Sequence, residues 1–386
     1  MKYRKFAKTG LEISELSLGC EYVWHSEEKD VIELVHHALD NGINYIDLFV
    51  GTASTRDNFG KALKGYRDKV ILAGHLGCID VNDQYVRTRD IKLCKDFIEQ
   101  FYTRLQTDYI DVLFLHNCDE EDDYYTIFDG EIYKLALKLK EEGKARFIGF
   151  SSHNTKIALK AVKSGKIDVL MFPVNPLFNL MPRDSAMERM FNLEIDSNIA
   201  EEEKECYPTK QELYDECVAR DIPVIAMKPF AAGNILKNHE GGVLQGLISL
   251  TPVQCISYVL DQSPAIVCLP GFKNNTELDQ ALAYFTASGE EKEYQKELEQ
   301  SMIGQFNNQC MYCNHCQPCP KTIDIAEVIK LKDLAEKEMT EEIRLRYQAL
   351  ETNAGDCLFC GACSKRCPFG INVNLHMKRA RELFQQ

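Results

Sequence analysis

Over the first 290 residues, short apolar runs alternate with segments whose apolar residues recur every three or four positions. The runs have the length of buried strands, and the periodic segments, such as 27–42, 88–106 and 130–144, are typical of amphipathic helices. The strand-like runs are residues 16–20, 44–49, 70–75, 109–116, 146–151, 167–172, 222–227 and 265–270. A doubly wound sheet is the alternative, but eight regular units over about 250 residues favour an α/β protein of the (β/α)8 TIM-barrel class.

In such a barrel the functional site lies where the strands end and the following loops begin. This rule selects eight positions from the apolar runs before any family is considered. Several are polar or ionisable, although a strand that merely filled a core would need no such side chain. The pattern therefore predicts a polar site at the mouth of the barrel. The selected residues are Cys20, Asp47, His75, His116, Ser151, Asn175, Lys228 and Gly271.

The end of the chain carries two groups of four cysteines. The second group has the spacing C-x2-C-x2-C-x3-C-P of bacterial ferredoxins, and the first has x2 before its last cysteine. In two-cluster proteins the fourth cysteine of a run binds the other cluster. We therefore predict two [4Fe–4S] clusters, one on Cys310, Cys313, Cys316 and Cys367, the other on Cys319, Cys357, Cys360 and Cys363. Two zinc sites are the alternative, but zinc ligands usually come as separated pairs.

The segment between the cysteine groups, residues 320–356, has apolar positions at helical spacing. Compact ferredoxins use short strands there, whereas this tail resembles the helical two-cluster module that conducts electrons in larger redox enzymes. The chain is therefore predicted to contain a barrel over residues 1–290 and a small, mainly helical ferredoxin-like domain over residues 291–386.

Charge and composition narrow the partners and the compartment. The net charge of −14 argues against nucleic acid and anionic membranes as partners. The chain has no apolar run of the roughly 20 residues that a spanning helix needs, and its basic N-terminus has no apolar stretch behind it. A cytoplasmic protein is expected. Sixteen cysteines then point to metal or redox chemistry, since structural disulfides are rare in the cytosol.

Two loops have ambiguous sequences. The loop from about Asn175 to Thr209 is long enough for a lid or binding segment, but a solvated insertion fits equally well. The acidic run Asp119 to Asp123 is interpreted as a solvated loop.

Five segments, taken in order, resemble the aldo-keto reductases over roughly residues 2–287: KYRKFAKTGLEISELSLGC, NYIDLF…NFGKAL, TDYIDVLFLH, GKARFIGFSSHN and LPGFKNNTEL. With the cysteine-rich tail, the whole chain resembles the branch of that family that carries a C-terminal ferredoxin-type domain. The first cysteine group of that branch also has x2 spacings followed by Pro. The resemblance implies an oxidoreductase.

The resemblance also implies a catalytic set of Asp, Tyr, Lys and His. In the family Tyr gives a proton to the carbonyl, Lys and Asp lower its pKa, and His orients the substrate. Asp47 and His116 match the Asp and the His. The Lys position falls on His75 and the Tyr position on Thr52, and residues 46–65 contain no tyrosine. The proton donor and its activating lysine are therefore predicted to be missing.

The family's cofactor is a nicotinamide nucleotide, NADP(H) or NAD(H), and its binding positions are matched in part. Met171 stands where the family has glutamine, and Glu277 stands where NADPH users often have arginine. The residues expected to bind the cofactor are Ser151, Asn175, Lys228, Pro270, Gly271 and Lys273.

Three hypotheses about function follow. The first is an oxidoreductase with Asp47, His75 and His116 as acid–base groups, acting on a small carbonyl- or hydroxyl-bearing or unsaturated substrate. Its barrel would exchange electrons with the clusters, and an external ferredoxin or flavoprotein is a candidate electron partner. The second makes the same three residues ligands of an iron or zinc ion. The third is a non-catalytic electron-transfer or scaffold protein with a degenerate barrel site.

Overall fold

The computed structural model describes residues 1–49, 51–176, 208–236, 249–299, 310, 316–367 and 371–384. These residues fall into two compact units. The first contains the residues up to 176 together with 208–229 and 251–295, and the second contains 230–236, 249–250 and the chain from 296 onward. In the described part of the chain, no helix is long and apolar enough to cross a membrane.

The first unit is a closed barrel of eight parallel strands. The strands are β3 (Leu18–Gly19), β4 (Tyr45–Asp47), β5 (Ile71–Leu76), β8 (Ile110–Leu115), β9 (Ala145–Ser151), β10 (Val169–Pro173), β11 (Val224–Met227) and β12 (Ile266–Leu269). Their order in the sheet is β12-β11-β10-β9-β8-β5-β4-β3, and parallel bridges between Leu16 and Cys268 and between Gly19 and Gly271 close the ring. Each lies within or beside a predicted apolar run, so the predicted barrel is confirmed.

An antiparallel hairpin, β1 (Tyr3–Phe6) and β2 (Leu11–Ser14), precedes the barrel. Its Phe6, Leu11 and Ile13 are buried with side chains from six barrel strands in one apolar cluster. The barrel interior is thus filled by packed side chains.

Helices alternate with the barrel strands as their apolar periodicity predicts. Those of the first unit are α1 (Glu28–Asp40), α2 (Ala53–Ala62), α3 (Ile91–Leu105), α4 (Glu121–Phe128), α5 (Glu131–Glu141), α6 (Thr155–Ser164), α7 (Lys210–Ala219), α8 (Pro252–Asp261), α9 (Asn275–Leu282) and α10 (Gly289–Lys292), and α11 (Gln295–Glu299) follows. The predicted helical segment 130–144 contains α5, and Gly143, just after that helix, has the left-handed φ of +74° that is common at helix ends.

One element of the first unit is absent from the sequence predictions. After β5, the chain forms a second hairpin from β6 (Cys78–Val81) and β7 (Gln84–Arg87) before α3 begins. Its turn residues, Asn82 and Asp83, have φ of +53° and +59°. Positive φ at both central residues is the geometry of the tight turn that matches the twist of a hairpin, and Asn and Asp favour it.

The second unit is helical between and after the cysteine groups, as predicted. Its helices are α12 (Ile325–Lys337), α13 (Glu341–Gln348), α14 (Ala362–Arg366) and α15 (Val373–Leu383). Ile323, Val328, Ile329 and Leu331 are completely buried and give this part of the chain an apolar core of its own.

Candidate active site and cysteine cavity

Three buried side chains at the carboxyl ends of barrel strands and a fourth from the β6–β7 hairpin form one chain of hydrogen bonds. His75 Nε2 lies 2.9 Å from Asp47 Oδ1, and His75 Nδ1 lies 2.9 Å from Nδ1 of His116. The other nitrogen of His116, Nε2, lies 2.9 Å from the Tyr85 hydroxyl. None of the four residues is more than 5% exposed. The three residues predicted to be catalytic are therefore brought together, and Tyr85 joins them.

Strand order explains why residues far apart in sequence meet here. β4, β5 and β8 are neighbours in the barrel, with Asp47 paired with Ala73 and His75 paired with Phe114. His116 comes directly after β8, and its backbone N–H donates to the carbonyl of Leu76. The three strands thus end at the same level, with an ionisable side chain at each end.

The distances fit one arrangement of donors and acceptors in which both imidazole rings carry a single N–H. When His75 donates from Nε2 to Asp47, its Nδ1 accepts a hydrogen bond from the Nδ1–H of His116. Nε2 of His116 is then an acceptor, and the Tyr85 hydroxyl donates to it. Each of the three contacts holds one hydrogen in this arrangement.

Tyr85 reaches His116 because it lies on the β6–β7 hairpin, where it pairs with Asp80. The sequence does carry a signal for this hairpin: Asn82-Asp83 stands between CIDV and QYVR. An Asx-rich dipeptide flanked by β-branched and aromatic residues indicates a two-residue turn. This signal was missed, and with it the tyrosine.

Aromatic rings cover the histidine pair. The ring centroid of Phe49 lies 5.5 Å from that of His75, 5.0 Å from that of His116 and 5.2 Å from that of Tyr85. Trp24 stacks on Phe49 at 5.7 Å. This apolar cover keeps the polar chain in a low-dielectric setting, where hydrogen bonds are electrostatically stronger than in water.

A second buried polar cluster lies on the loops after β8, β9 and β11. Asp119 accepts hydrogen bonds from the backbone N–H of His153 at 2.5 Å and from the Ser152 hydroxyl at 3.0 Å, and its Oδ2 is 3.0 Å from His153 Nδ1. Lys228 Nζ lies 3.3 Å from His153 Nε2. Sequence reasoning missed the roles of Asp119 and His153.

Burial sets the charge states in this second cluster. Burial lowers the pKa of His153, and the Lys228 charge adds to that, although Asp119 opposes it. Burial alone would raise the pKa of Asp119. The nearby His153 and the hydrogen bonds that Asp119 accepts from His153 and Ser152 instead hold that pKa below its ordinary value. The cluster therefore pairs the Asp119 carboxylate with a neutral His153 imidazole, and the Lys228 side chain lies at the other ring nitrogen.

The acidic run is therefore not a solvated loop. Asp119 is buried, Glu121–Asp123 form the first turn of α4, and Asp123 accepts two hydrogen bonds from Arg89. Carboxylates are stabilised at a helix N-terminus by the unpaired N–H groups there, which explains why the run is helical.

The geometry does not support a metal ion between Asp47, His75 and His116. The Nδ1 atoms of the two histidines face each other at hydrogen-bond distance, so their lone pairs do not converge on a common point. Throughout the residues that the structure describes, no three Asp, Glu, His or Cys side chains form a group that could hold one metal ion.

In the second unit, four cysteines line one cavity: Cys319, Cys357, Cys360 and Cys363. These are the four that sequence spacing assigns to one cluster, including the crossover of Cys319 from the first group. A four-iron cubane takes one thiolate at each iron, so its ligands surround a cavity and do not meet at a point. The residues present therefore fit such a group. Cys313, a predicted ligand of the other cluster, lies outside the described residues.

Arg366 ties the two cysteine groups together. Its Nη2 donates to the carbonyls of Cys316 at 2.7 Å and Pro318 at 2.5 Å, and its Nε donates to Cys316 O at 3.1 Å. Within the second group, the Phe359 N–H donates to the Cys357 sulfur at 3.4 Å. Such contacts hold Cys319 beside Cys357 and supply a donor to a thiolate.

The Aldo/keto reductase family model matches residues 16–201. Residues 16–201 are therefore similar in sequence to this family. Among curated relatives, the aldo-keto reductase YhdN of Bacillus subtilis is 31% identical over 193 residues, which are 48% of this chain and 56% of YhdN. The L-glyceraldehyde 3-phosphate reductase of Escherichia coli is 28% identical over 261 residues, or 64% of this chain and 66% of that enzyme. The chain thus spans between half and two thirds of these relatives.

Solved structures of aldo-keto reductases share the fold. The holo form of AKR11C1 from Bacillus halodurans has a TM-score of 0.58 at 22% identity, covering 79% of this chain and 98% of its own. An aldo-keto reductase from Klebsiella pneumoniae, in complex with NADPH, has a TM-score of 0.50 at 18% identity, covering 78% of this chain and 94% of its own.

Within the barrel, the hydroxyl of Thr52 has structural hydrogen-bond partners. It caps α2 by accepting from the Thr55 N–H, and its hydroxyl lies 3.2 Å from the Trp24 carbonyl. It also lies 2.9 Å from the Ser54 hydroxyl and 2.8 Å from that of Thr55. The residue at the family's tyrosine position thus fixes a helix start.

The predicted cofactor-binding residues lie at the barrel mouth with different surroundings. Ser151 and Asn175 are buried, and Asn175 Nδ2 donates to the carbonyl of Lys228 at 2.9 Å. Gly271 is held by packing, since a Cβ there would meet the Tyr22 ring at 2.6 Å, and Pro270 O accepts from the N–H of Gly19.

Lys273, the predicted phosphate contact, is exposed at the start of α9. Its backbone N–H donates to the Glu277 carboxylate at 2.8 Å, and Asn274 caps the Glu277 N–H. An acid therefore already occupies the start of α9, beside the predicted phosphate contact, which disfavours a second anion there.

Proposed function

We propose that this protein is an aldo-keto reductase-like oxidoreductase whose barrel reduces or oxidises a small carbonyl- or hydroxyl-bearing or unsaturated substrate, coupled to two [4Fe–4S] clusters. The observation that carries the proposal is the buried chain from Asp47 through His75 to His116 at the barrel mouth. A carbonyl that gains electrons also needs a proton, and this chain is built to move one.

Asp47, His75 and His116 are the proposed acid–base groups. Histidine is the side chain whose ordinary pKa, about 6.5, lies nearest physiological pH, so it can both give and accept a proton there. Asp47 fixes the His75 tautomer through its 2.9 Å hydrogen bond. A degenerate barrel would have no reason to bury three ionisable groups in a fully bonded chain, because each carries a desolvation cost.

A nicotinamide nucleotide, NADP(H) or NAD(H), is the proposed cofactor of the barrel. It supplies a hydride when bound. Support comes from the family of the barrel and from the shared fold of an NADPH-bound aldo-keto reductase. Ser151, Asn175, Lys228, Pro270, Gly271 and Lys273 are the proposed binding residues, and Glu277 at the α9 start favours NADH, which lacks the 2′-phosphate.

The proposed cluster domain covers residues 291–386 and follows a barrel domain of residues 1–290. The cavity lined by Cys319, Cys357, Cys360 and Cys363 supports one cluster. The other is proposed on Cys310, Cys313, Cys316 and Cys367, from their spacing. When bound, such clusters transfer single electrons.

A ferredoxin or flavoprotein remains the proposed electron partner, and charge supports it. Residues 357–386 contain five Lys and Arg against one Glu, a local net charge of +4 in a chain of net charge −14. Beside the exposed Cys360, Leu358 is 60% exposed and Lys365 is also exposed. A basic and partly apolar surface around a redox site suits an acidic one-electron carrier.

The experiment is carried out anaerobically on the iron-loaded full chain, with NADH or NADPH and a panel of small aldehydes and ketones. We expect carbonyl reduction that falls strongly in His75→Ala and in His116→Ala. His25→Ala, an exposed histidine away from this chain of bonds, is the matched control. Full activity in both site variants would end the assignment of these residues, and a wild-type chain that neither binds nor oxidises either nucleotide would favour a pure electron carrier.

A further inference from the structure

We propose that Arg366 is the fixed counter-charge of the two predicted clusters and raises the reduction potential of both. This inference deepens the proposed function and rests on the two clusters proposed there. The Arg366 guanidinium donates to the carbonyl of Cys316, a predicted ligand of one cluster, and Arg366 also lines the cavity predicted to hold the other. Cys367, the next residue in the chain, is a further predicted ligand of the first cluster.

The charge of Arg366 has no carboxylate partner within the described part of the chain. Its hydrogen bonds go to carbonyl oxygens, two to Cys316 at 2.7 and 3.1 Å and one to Pro318 at 2.5 Å. A carbonyl oxygen accepts a hydrogen bond but does not cancel a charge. By contrast Lys332, the buried cation of α12, pairs with two carboxylates of its own helix. A half-buried cation without an anion carries a desolvation cost, so this arrangement points to an anion that arrives with a bound group.

The charged side chains around the cysteine cavity have one sign. Among the described residues that line it, the charged ones besides the cysteines are Lys321 and Arg366, and none is acidic. The chain as a whole has 59 Asp and Glu against 45 Lys and Arg, so its overall composition does not explain this lining. Lys321 is exposed, and solvent and salt screen its charge, whereas Arg366 is half-buried and held by its hydrogen bonds. Arg366 is therefore the cation that a bound anionic group would experience more strongly.

A fixed cation changes the reduction potential of a cluster in a known direction. A cluster bound by four thiolates is an anion, and each electron it accepts adds a negative charge. Net charge is one of the properties that set the reduction potential of such clusters. The cation stabilises the reduced state more than the oxidised state, because Coulomb attraction grows with the negative charge that the cation faces. Arg366 is therefore expected to raise both midpoint potentials.

The position of Arg366 also bears on how one hydride can reduce two clusters. Oxidation of one nicotinamide hydride yields two electrons and one proton, which is released, and two one-electron carriers are needed to take both electrons. The first added electron makes the second harder to add, because like charges repel. A cation that contacts the Cys316 backbone and lines the other cavity attracts both added electrons. Arg366 thus offsets the repulsion and favours reduction of both clusters by one hydride.

The test is an anaerobic redox titration of the iron-loaded full chain, with the midpoint potentials of the clusters measured by visible absorbance and electron paramagnetic resonance. In Arg366→Gln both potentials should fall, and the ratio of reduced to oxidised cluster at a fixed potential should drop about tenfold, which is about 59 mV for one electron. Arg366→Lys keeps a cation and should shift the potentials less. The matched control is Arg346→Gln, which removes the same charge from a surface ion pair with Glu327 and should leave both potentials unchanged.

Partial loss of iron from a variant would not hide the shift, because both methods detect only the clusters that are bound. Potentials in Arg366→Gln equal to those in the control would overturn the inference. A fall in Arg366→Lys as large as that in Arg366→Gln would also overturn it, because the charge would then not be responsible. A wild-type chain that binds no iron would overturn the proposed clusters and the inference with them, whereas bound clusters with unshifted potentials would overturn the inference alone.

Discussion

The barrel mouth and the cysteine cavity organise their reactive groups in opposite ways. In the barrel mouth, Asp47, His75, His116 and Tyr85 are buried and hold one another by hydrogen bonds. In the cysteine cavity, the side chains range from the buried Cys363 to the exposed Cys360. The barrel site is ordered by its own bonds, whereas the four cysteines of the cavity would be held together by the proposed cluster.

This difference separates two kinds of chemistry. A proton relay depends on fixed tautomers and distances, which parallel strands and a tight hairpin supply before any ligand binds. An electron carrier needs thiolates at an accessible edge and tolerates exposure, since its partner must approach. The comparison predicts that the two sites respond differently to the same treatments.

Removal of iron should have the largest effect and should be confined to the second unit. The cysteine loops 316–323 and 357–367 should lose at least about 3 kcal/mol of protection, the stabilisation given by a ligand at a hundredfold excess over its Kd. The barrel strands should keep theirs. Hydrogen exchange of iron-loaded and chelator-treated protein measures both regions at once, and equal protection in the loops before and after treatment would contradict the cluster assignment.

Asp47→Asn should lower the activity of the barrel site without affecting the cysteine cavity. The amide keeps the shape but can donate to His75 Nε2, which favours the wrong tautomers along the chain. We expect kcat to fall by about 10² or more with cluster content unchanged, as for other losses of an acid–base anchor. Asp57→Asn, which alters an exposed partner of Arg104, is the control. A kcat equal to that of the control would mean that Asp47 does not set the relay.

Arg366→Gln should loosen the join between the two cysteine groups. The variant loses the guanidinium that donates to the carbonyls of Cys316 and Pro318, each such charged bond contributing about 1.5–3 kcal/mol. We expect the cluster that includes Cys319 to lose iron several times faster to a chelator than in Arg346→Gln, which removes a surface ion pair with Glu327. Equal rates of iron loss in the two variants would show that Arg366 does not stabilise the position of Cys319 beside the second cysteine group.

Cys319→Ala tests directly whether Cys319 is a ligand of the cluster on the second cysteine group. The cluster on Cys357, Cys360 and Cys363 should change its spectrum, because it loses its fourth ligand. Loss of the cluster on Cys310, Cys313 and Cys316 would show that the crossover assignment is wrong.

The smallest predicted effect is a pH dependence of barrel stability. Burial lowers the pKa of His153 in the folded barrel. Below about pH 6.5 the residue therefore binds a proton in the unfolded chain but not in the folded one. The free energy of unfolding should therefore fall as pH drops from about 6.5 toward the folded pKa, with a slope of up to about 1.4 kcal/mol per pH unit. His153→Asn should flatten this slope in urea titrations, and exposed His25→Asn should not; the same slope in both would contradict the assignment.

The strands and three of the four relay residues could be predicted because apolar runs mark strands and parallel strands end together. Asp47, His75 and His116 follow from that rule alone. The role of Tyr85 was not predicted because each strand of its hairpin has only four residues. The Asn82-Asp83 dipeptide was not recognised as a hairpin turn. Asp119 and His153 escaped because an acidic run resembles a solvated loop until a buried partner is known. The assignment of Cys319 to the cluster of Cys357, Cys360 and Cys363 follows from cysteine spacing and stays a prediction.

The most direct test of the account is an anaerobic titration of the iron-loaded protein with NADH and NADPH, followed by the visible absorbance of the clusters. The account predicts that the nucleotide bleaches the clusters, because the two electrons of one hydride can reduce two clusters by one electron each, with release of one proton. It also predicts about eight irons per chain for two four-iron clusters. Clusters that dithionite reduces but that neither nucleotide changes would contradict the coupling of the barrel to the tail.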